Sequence, residues 1–145
     1  MRDRTRAFPW QFAPVNREFE AFVDRSIRSG TSMAIETTLR STITFEQARL
    51  AKRHGFRVVM VYLALDTVEQ HIERVKRRAA RGGHSASEAT LRKIHASSLQ
   101  NLPLTLSPAK SGIDLVRIYD NSTPESSPRL ALESRRGRIV RPAAE

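Results

Sequence analysis

An unbroken apolar run at residues 58–65 is the feature that most constrains the fold of this chain. The run reads Val-Val-Met-Val-Tyr-Leu-Ala-Leu, so a β-strand formed there is apolar on both of its faces. Two apolar faces are typical of a central strand in a parallel sheet, which helices cover on each side. The run therefore predicts a layered α/β protein in which this strand lies inside the sheet.

Helical periodicity fills most of the other sequence between residues 16 and 102. The helical segments carry their own start and stop signals, such as the capping-box pair Thr67 and Gln70 and the stop signal Gly55. We expect helices from Asn16 to Ser29, from Ser41 or Thr42 to His54, from Asp66 or Thr67 to Gly82, and from Ser85 to Leu102.

Two further apolar segments, residues 33–35 and 113–119, predict strands beside the central one. Strands that alternate with helices are joined by right-handed crossovers and run parallel to one another. In such a sheet, ligands bind beyond the carboxyl ends of the strands. This rule selects three short polar segments as candidate sites: residues 36–40, 66–67 and 120–122.

The length of 145 residues allows one domain with a single core. We assign residues 1–15 to a basic amino-terminal arm, residues 16–122 to the folded domain, and residues 123–145 to a flexible basic tail. The tail begins in Ser- and Pro-rich sequence, which is typical of a linker. Within this tail, residues 129–132 are a candidate for a short edge strand.

The formal net charge of +10 raises nucleic acid or another polyanion as a partner. The basic residues, however, are divided among the first six residues, one helix, and the sequence Arg135-Arg136-Gly-Arg138. The sequence also lacks the alternation of basic and aromatic residues that stacks on bases. This distribution favours a solvated surface over a nucleic-acid face, so nucleic acid is not the expected partner.

Metal, disulfide and membrane chemistry are not indicated by the sequence. The chain has no cysteine, and its four histidines are not at the spacing of metal ligands. The basic first residues are followed by Phe8-Pro9-Trp10, and not by an apolar segment long enough for a signal peptide or a membrane span. We therefore expect a cytoplasmic protein without a metal site of its own.

The sharpest chemistry in the sequence is a helix with four arginines, Arg74, Arg77, Arg78 and Arg81, on one face. Guanidinium groups bind phosphate oxygens bidentately and stay charged, as a lid over a transferring phosphoryl group requires. The pattern therefore predicts a phosphate-binding helix.

The sequence Gly82-Gly83-His84 follows the arginines and predicts a hinge, with His84 as a further candidate contact to ligand. The alternative is that the arginine face is only solvated, with its charge partly neutralised by Glu69 and Glu73.

A second candidate site follows the strand predicted at residues 33–35. Glu36 can accept hydrogen bonds from a sugar or nucleoside hydroxyl, Thr38 can donate or accept, and Arg40 can bind a phosphate. The alternative is that Thr38 and Ser41 cap the next helix while Glu36 pairs with an arginine. Asn121 is the remaining candidate, and a turn is the alternative for Asp120-Asn121.

Seven short motifs occur in a fixed order along residues 16–122. They are Ala34-Ile-Glu36-Thr-Thr38-Leu, Gly55-Phe-Arg-Val, Val61-Tyr-Leu-Ala-Leu, Arg74-Val-x-x-Arg78, Gly82-Gly83-His84, Ser98-Leu-x-Asn101-Leu and Tyr119-Asp-Asn121-Ser122. In this order and spacing, the series resembles the zeta-toxin family of P-loop kinases, and especially its bacterial branch of zeta toxins and ABC-type ATPases. Residues 16–122 are thus similar to a partial kinase domain with a P-loop kinase-like parallel sheet.

The resemblance implies an ATP- and Mg²⁺-dependent kinase that phosphorylates a sugar hydroxyl of a UDP-amino sugar such as UDP-N-acetylglucosamine. Glu36 and Thr38 match the family's substrate-contacting segment. Arg74, Arg78 and Arg81 match its lid arginines, which bind nucleotide phosphates. Protein partners implied by the resemblance are an antitoxin or, for an incomplete sheet, a second copy of the chain.

Two functional segments of the family are missing from this sequence. It has no Gly-x-x-x-x-Gly-Lys-Ser/Thr loop, and it has no aspartate segment to supply a catalytic base before Asn16. The catalytic residues are therefore unknown, and the fold is expected to be incomplete at its amino-terminal end. In the family, the strand that leads into this loop lies between the strands that match residues 33–35 and 58–65, so its absence would leave a gap in the middle of the sheet and two unpaired strand edges.

Three functional hypotheses follow from these observations. The first is the carboxyl-terminal portion of a zeta-toxin-like kinase, with negligible kinase activity by itself. The second is a module that binds phosphate or nucleotide as a dimer or with a partner. The third is a basic nucleic-acid-binding protein, which steeply salt-dependent binding would indicate.

Overall fold

The strand predicted at residues 58–65 forms as β1 (Val59–Ala64) in a computed structural model that describes residues 13–83 and 86–140. The predicted helices also form, at nearly the predicted bounds. The helices are α1 (Ala13–Ser29), α2 (Ile43–Arg53), α3 (Val68–Ala80), α4 (Glu88–Asn101), a 3-10 helix (Leu102–Leu106) and the short α5 (Pro108–Ser111). The other strands are β2 (Leu115–Asp120), β3 (Arg129–Arg135) and β4 (Arg138–Val140).

The helix starts follow from side-chain caps. Thr67 caps α3, because its Oγ1 accepts a hydrogen bond of 3.2 Å from the backbone N–H of Gln70, as the capping-box spacing predicts. Ser87 caps α4 by accepting a bond of 3.2 Å from the Thr90 N–H, so that helix begins at Glu88. The earlier start predicted at Ser85 falls on a residue outside the described ranges.

The chain divides into two compact units, residues 1–35 and residues 36–145. The described part of the first unit is α1 and the segment that follows it. An ion pair of 2.9 Å between Arg28 Nε and Asp24 Oδ2 joins successive turns of this helix. The prediction of a strand at residues 33–35 is wrong, because these residues have no regular secondary structure.

The second unit holds a four-stranded sheet in the order β1-β2-β3-β4. The mixed α/β class is confirmed, but the prediction of a parallel sheet holds only for β1 and β2, which pair from Val59 opposite Leu115 to Ala64 opposite Asp120. Strands β3 and β4 are antiparallel to their neighbours. They arise within residues 123–145, for which the sequence predicted a flexible tail with a candidate edge strand at residues 129–132; β3 forms there, but it lies inside the sheet.

A tight turn at Arg136-Gly137 explains the antiparallel pairing of β3 and β4. The backbone φ angles are 48° at Arg136 and 79° at Gly137, the positive values that a two-residue type I′ hairpin turn requires. A Cβ atom at Gly137 would also lie 3.1 Å from Pro108 Cδ. A two-residue connection can only return the chain antiparallel, whereas the parallel pair β1-β2 is joined through α3, α4 and α5.

Helices cover one face of the sheet, and the core lies between. Met60 and Tyr62 of β1 pack toward buried Val116 of β2. The buried members of this core cluster are Leu39, Phe45, Ala48, Ile113 and Val116. The core therefore depends on α2, the 3-10 helix and the loop around Leu39 as much as on the strands.

β1 lies at an edge of the sheet, not at its centre as the sequence predicted. Its alternate residues Val59, Val61 and Leu63 are 48%, 59% and 55% exposed. The opposite edge, β4, has only three residues and begins with a charged one, Arg138. Short length and charge protect a strand edge from pairing with another chain, and β1 has neither protection.

We expect Val61→Lys to reduce concentration-dependent self-association of the protein. A lysine at this exposed position places charge on the unprotected edge, and it should change the free energy of unfolding by less than about 0.5 kcal/mol. Sedimentation velocity over a concentration series measures the effect. The matched control is Ile139→Lys, at an equally exposed residue of the short edge strand. Equal association of the wild type and Val61→Lys would show that the β1 edge is not the site of self-association.

Candidate functional site

The carboxyl ends of the parallel strands β1 and β2 are joined by hydrogen bonds between the loops that follow them. The Asn121 N–H donates to the Ala64 carbonyl over 2.9 Å, and the Asp66 N–H donates to Ser122 Oγ over 2.8 Å. Two of the three polar segments selected from the sequence, residues 66–67 and 120–122, therefore meet at this end of the sheet.

Asp120 forms a turn with its own loop. Its Oδ1 accepts a bond of 2.9 Å from the Ser122 N–H, and its Oδ2 lies 3.4 Å from Arg129 Nη2. The Ser122 backbone bond, with help from the Ser122 side chain and Arg129, holds the Asp120 pKa below its usual range. The alternative interpretation of Asp120-Asn121 as a turn thus describes the local structure, and the turn presents an ionised carboxylate.

Arg74 connects α3 to this turn. Its Nη2 donates to the Asn121 carbonyl oxygen over 2.5 Å, and the side chain is half-buried. Both backbone groups of Asn121 are therefore occupied, one by β1 and the other by Arg74. Of the predicted lid arginines, Arg74 positions the helix against the strand ends.

The other predicted arginines are Arg77 and Arg78 of α3 and Arg81, which follows the end of the helix; all three are exposed, but they differ in their partners. Arg77 Nε pairs with Glu73 Oε1 at 2.9 Å along the helix. Within the described part of the chain, neither Arg78 nor Arg81 forms a hydrogen bond or an ion pair through its side chain. The predicted neutralisation of the face is thus only partial, and two guanidinium groups keep their charge toward solvent.

Glu69, the second carboxylate proposed to neutralise that face, points to α4. Its Oε1 pairs with Arg92 Nη1 at 2.9 Å, and Lys76 Nζ lies 3.5 Å from Glu88 Oε2. These pairs run in opposite directions along the two helices, so α3 and α4 form an antiparallel hairpin. All four side chains are well exposed, so each pair contributes little to stability.

His71 and His95 face one another within this hairpin, with ring centroids 6.1 Å apart. His71 is half-buried. Burial, followed by the charges of His95 and Arg78, lowers the His71 pKa below its usual value. The imidazole is therefore a neutral neighbour of Arg78 at neutral pH, and it responds to that arginine's charge.

Gly82 and Gly83, where the sequence predicted a hinge, end helix α3. The Gly82 N–H donates to the Ala79 carbonyl and the Gly83 N–H to the Arg78 carbonyl, each over 3.0 Å. A Cβ atom at Gly83 would lie 2.9 Å from Arg78 Cγ, so the small residue lets the chain pass against this arginine. His84, the last predicted member of the phosphate site, lies outside the described residues.

The acceptor segment, residues 36–40, turns around one buried side chain. Leu39 is 1% exposed and has a φ of 55°, in the left-handed region that non-glycine residues seldom adopt. Its N–H donates to Thr37 Oγ1 over 3.2 Å, and its carbonyl accepts from Asn101 Nδ2 over 2.9 Å. These bonds offset the strain and hold the segment in shape.

The predicted binding residues of this segment are exposed on either side of Leu39. Glu36, Thr38 and Arg40 make no side-chain hydrogen bond or ion pair within residues 13–83 and 86–140. Within these ranges Glu36 therefore does not pair with an arginine, as the alternative interpretation proposed. The N-cap of α2 is Thr42, and it has no side-chain capping bond. Hydrogen-bonding groups are thus available at this segment.

Helix α4 links the two candidate sites. Ser98 Oγ and Tyr62 OH are 3.0 Å apart, which ties α4 to β1, and Asn101 ties the end of the helix to Leu39. Hydrogen bonds or ion pairs do not join Glu36, Thr38 or Arg40 directly to Asp120, Asn121 or Ser122 among the described residues. The two sites are therefore connected through α4, and not by direct contact among the described residues.

A second basic site, which the sequence did not predict, lies at the amino ends of the strands. It is a groove of about 420 Å³ where α2, β1, β2 and the β3-β4 turn meet. We name it the amino-end groove, and the lining side chains that define it are Lys52, Phe56, Arg57, Asp114, Arg135 and Arg136. The basic residues come from segments about eighty positions apart, so only the topology of the sheet brings them together.

Neither a metal site nor a membrane span is evident in the part of the chain that the structure describes. Among residues 13–83 and 86–140, His, Asp and Glu side chains form no group of three or more that could hold a metal ion. No helix in these ranges combines the length and apolar character needed to cross a membrane.

Replacing Asn101 with alanine is expected to lower the free energy of unfolding by about 1–2 kcal/mol, because the Leu39 carbonyl loses its partner while Leu39 keeps its strained backbone. Urea unfolding followed by circular dichroism measures the change. Gln100→Ala, at the exposed neighbour on α4, is the matched control. An unchanged urea midpoint for Asn101→Ala would mean that the acceptor segment does not depend on this bond.

Comparison with protein-family models, with curated proteins and with solved structures finds no match for this chain. The similarity to zeta-toxin kinases therefore stands on the sequence motifs alone.

Proposed function

We propose that this chain is the carboxyl-terminal, acceptor- and phosphate-binding portion of a zeta-toxin-like, ATP-dependent kinase. In this proposal, Arg78 and Arg81 bind phosphates of ATP or of a nucleotide sugar. Glu36 and Thr38 bind the hydroxyl of a small acceptor such as a UDP-amino sugar, and Arg40 binds an acceptor phosphate. The observation that carries the proposal is the pair of exposed guanidinium groups, Arg78 and Arg81, on a helix fixed to the strand ends through Arg74.

The arrangement of α3 supports phosphate binding over a merely solvated face. One arginine, Arg77, has a carboxylate on its own helix, and the nearby Glu69 is paired with Arg92. Arg78 and Arg81 lack such partners within the described ranges, and like charges placed close together favour an anion between them. The imidazole of His71 lies near Arg78 and is neutral at neutral pH, so it brings no further charge to this face.

The acceptor side of the proposal rests on the segment around Leu39. A strained backbone that is held by two hydrogen bonds presents Glu36, Thr38 and Arg40 in a fixed order. Binding groups held in place by the fold lose less conformational entropy when a ligand binds. A carboxylate, a hydroxyl and a guanidinium together suit a ligand that carries both hydroxyl and phosphate groups.

The described residues offer positive charge for ATP phosphates, and a Mg²⁺ ion would have to be held mainly by those phosphates and water. Guanidinium groups provide the phosphate contacts, whereas no described group of His, Asp and Glu residues has the makings of a metal site. The sequence also lacks the glycine-rich loop and its lysine, which supply several kcal/mol of stabilisation to a transferring phosphoryl group. Phosphate binding without transfer is therefore the activity proposed for the chain by itself.

A phosphate- or nucleotide-binding module that works with a second copy or a partner such as an antitoxin is the second candidate function. The edge of β1 favours it, because its outer backbone groups pair with none of the described strands and its residues Val59, Val61 and Leu63 carry no charge to repel another strand. The two candidates share the arginine site and differ in what completes the sheet.

We expect ATP, without added Mg²⁺, to raise the pKa of His71. The Arg78 charge contributes to the lowered pKa of this histidine, and a bound phosphate would offset that charge and favour the imidazolium form. Nuclear magnetic resonance of the histidine ring protons, titrated between about pH 5 and 8 with and without ATP, measures the shift.

The controls separate binding at Arg78 from binding elsewhere. Arg78→Ala should raise the His71 pKa in the free protein and remove the response to ATP, whereas Arg77→Ala should leave the response in place. ATP that binds without moving the His71 pKa would contradict the proposed site. Phosphate transfer from ATP to UDP-N-acetylglucosamine by the chain alone would contradict the proposal of binding without catalysis.

A further inference from the structure

The amino-end groove lies at the opposite end of the parallel strands from the proposed kinase site. Gly55 and Arg57 precede β1, Asp114 precedes β2, and Arg135 and Arg136 end β3 and begin the turn. The candidate residues Asp120 and Asn121 lie at the carboxyl end of β2 instead. A ligand in the groove would therefore be separate from one bound at Arg78.

The charge of the groove is only partly neutralised. Asp114 is paired with Lys52 Nζ and accepts a bond of 2.9 Å from the Val58 N–H. Burial opposes ionisation of Asp114, but these two bonds outweigh burial and hold the Asp114 pKa below its usual range. The carboxylate is therefore ionised, and both of its oxygens have partners.

The second carboxylate beside the groove is Glu133, which is 7% exposed. Its oxygens accept from Arg117 Nε at 2.8 Å and from Arg135 Nε at 2.5 Å, so one carboxylate serves two guanidinium groups. The Arg117 bond, followed by the Arg135 bond, lowers the Glu133 pKa. Both oxygens of each carboxylate are thus occupied, and Asp114 keeps only a longer-range charge interaction with Arg136.

Arg57 and Arg136 are the cations that remain. Both are exposed, and neither makes a side-chain hydrogen bond or ion pair within the described ranges. Arg136 is also held in the β3-β4 turn, because its N–H donates to the Asp114 carbonyl over 2.7 Å. The backbone of Arg136 is thus fixed at the rim of the groove, while its guanidinium group is available to bind an anion.

Phe56 adds an apolar surface beside these charges. It is half-buried, and its N–H donates to the Ala51 carbonyl over 3.1 Å, which anchors it to the end of α2. Cationic side chains around an aromatic one are the combination that binds single-stranded nucleic acid, in which phosphates and bases alternate. The groove volume suits a nucleotide unit better than a duplex, which requires a broad face.

We propose that the amino-end groove binds the sugar-phosphate backbone of single-stranded nucleic acid. Arg57 and Arg136 hold a phosphate, and a base or sugar covers Phe56. Lys52 and Arg135 add positive potential while their carboxylate partners keep them in place. The proposal differs from the expectation drawn from the sequence, because the fold gathers basic residues that the sequence scatters.

The test is binding of a fluorescein-labelled oligothymidine of about 12 nucleotides, followed by fluorescence anisotropy over a range of salt concentrations. The variant is Arg57→Ala combined with Arg136→Asn. Asparagine removes the charge but adopts a positive φ readily and favours the same Asn-Gly turn, so the hairpin is retained. Circular dichroism checks that the variant is folded.

We expect the variant to bind about tenfold more weakly at low salt. The slope of its log affinity against log salt concentration should be shallower by about 0.7 for each phosphate that it no longer neutralises. The matched control is Lys76→Ala with Lys93→Ala, which removes the same charge from exposed positions on α3 and α4. It should bind nearly as well as the wild type. Arg78→Ala should also bind normally, which separates this proposal from the kinase proposal.

Three outcomes would overturn the proposal. An equal loss of affinity in both double variants would mean that binding follows net charge and not the groove. Tighter binding of a duplex of the same length, with the same sensitivity to Arg57 and Arg136, would exclude a single-strand site. Inorganic pyrophosphate or AMP binding as tightly as the oligonucleotide would identify a small phosphate ligand instead.

Discussion

The second unit of this protein depends on one residue, Asp114, at which four segments of the chain meet. Its carboxylate binds Lys52 at the end of α2 and the Val58 N–H before β1. Its own N–H donates to the Val58 carbonyl over 2.9 Å, and its carbonyl accepts from Arg136 in the hairpin turn. Asp114 therefore helps to set the register of β1 against β2 and attaches the β3-β4 hairpin to them. Its side chain is largely screened from water, and its carboxylate, N–H and carbonyl groups all have hydrogen-bond partners.

Local signals in the sequence predicted the helices well and the sheet less well. Thr67 and Gln70 form the capping bond that their spacing requires, because such bonds involve only neighbouring residues. The run at residues 58–65 forms a strand, but its position at an edge depends on which segments are available to pair, and no local pattern carries that information. The hairpin at Arg136-Gly137 was missed because an arginine, not the usual asparagine or glycine, occupies its first left-handed position.

The candidate sites were likewise predicted where they depend on neighbouring residues and missed where they depend on residues distant in sequence. Residues 66–67 and 120–122 were brought together correctly by the rule for parallel strands, which applies to the one parallel pair. The role of Arg74 as a link to the Asn121 carbonyl was not foreseen, because helical spacing gives the direction of a side chain and not its partner. The amino-end groove was missed for a related reason: Arg57 and Arg136 are distant in sequence, and only the sheet places them on one groove.

Helix α4 connects the two halves of the proposed kinase site. Near its start, Arg92 binds Glu69 of α3, and at its end Asn101 holds the carbonyl of Leu39. A ligand that displaces α3 along α4 must therefore work against the backbone conformation of the acceptor segment. Thermodynamic reciprocity then requires that an acceptor bound at Glu36 change the affinity of the arginine face by the same factor. A single helix would thus couple the two ligands, so that each one changes the affinity for the other by the same factor, whichever binds first.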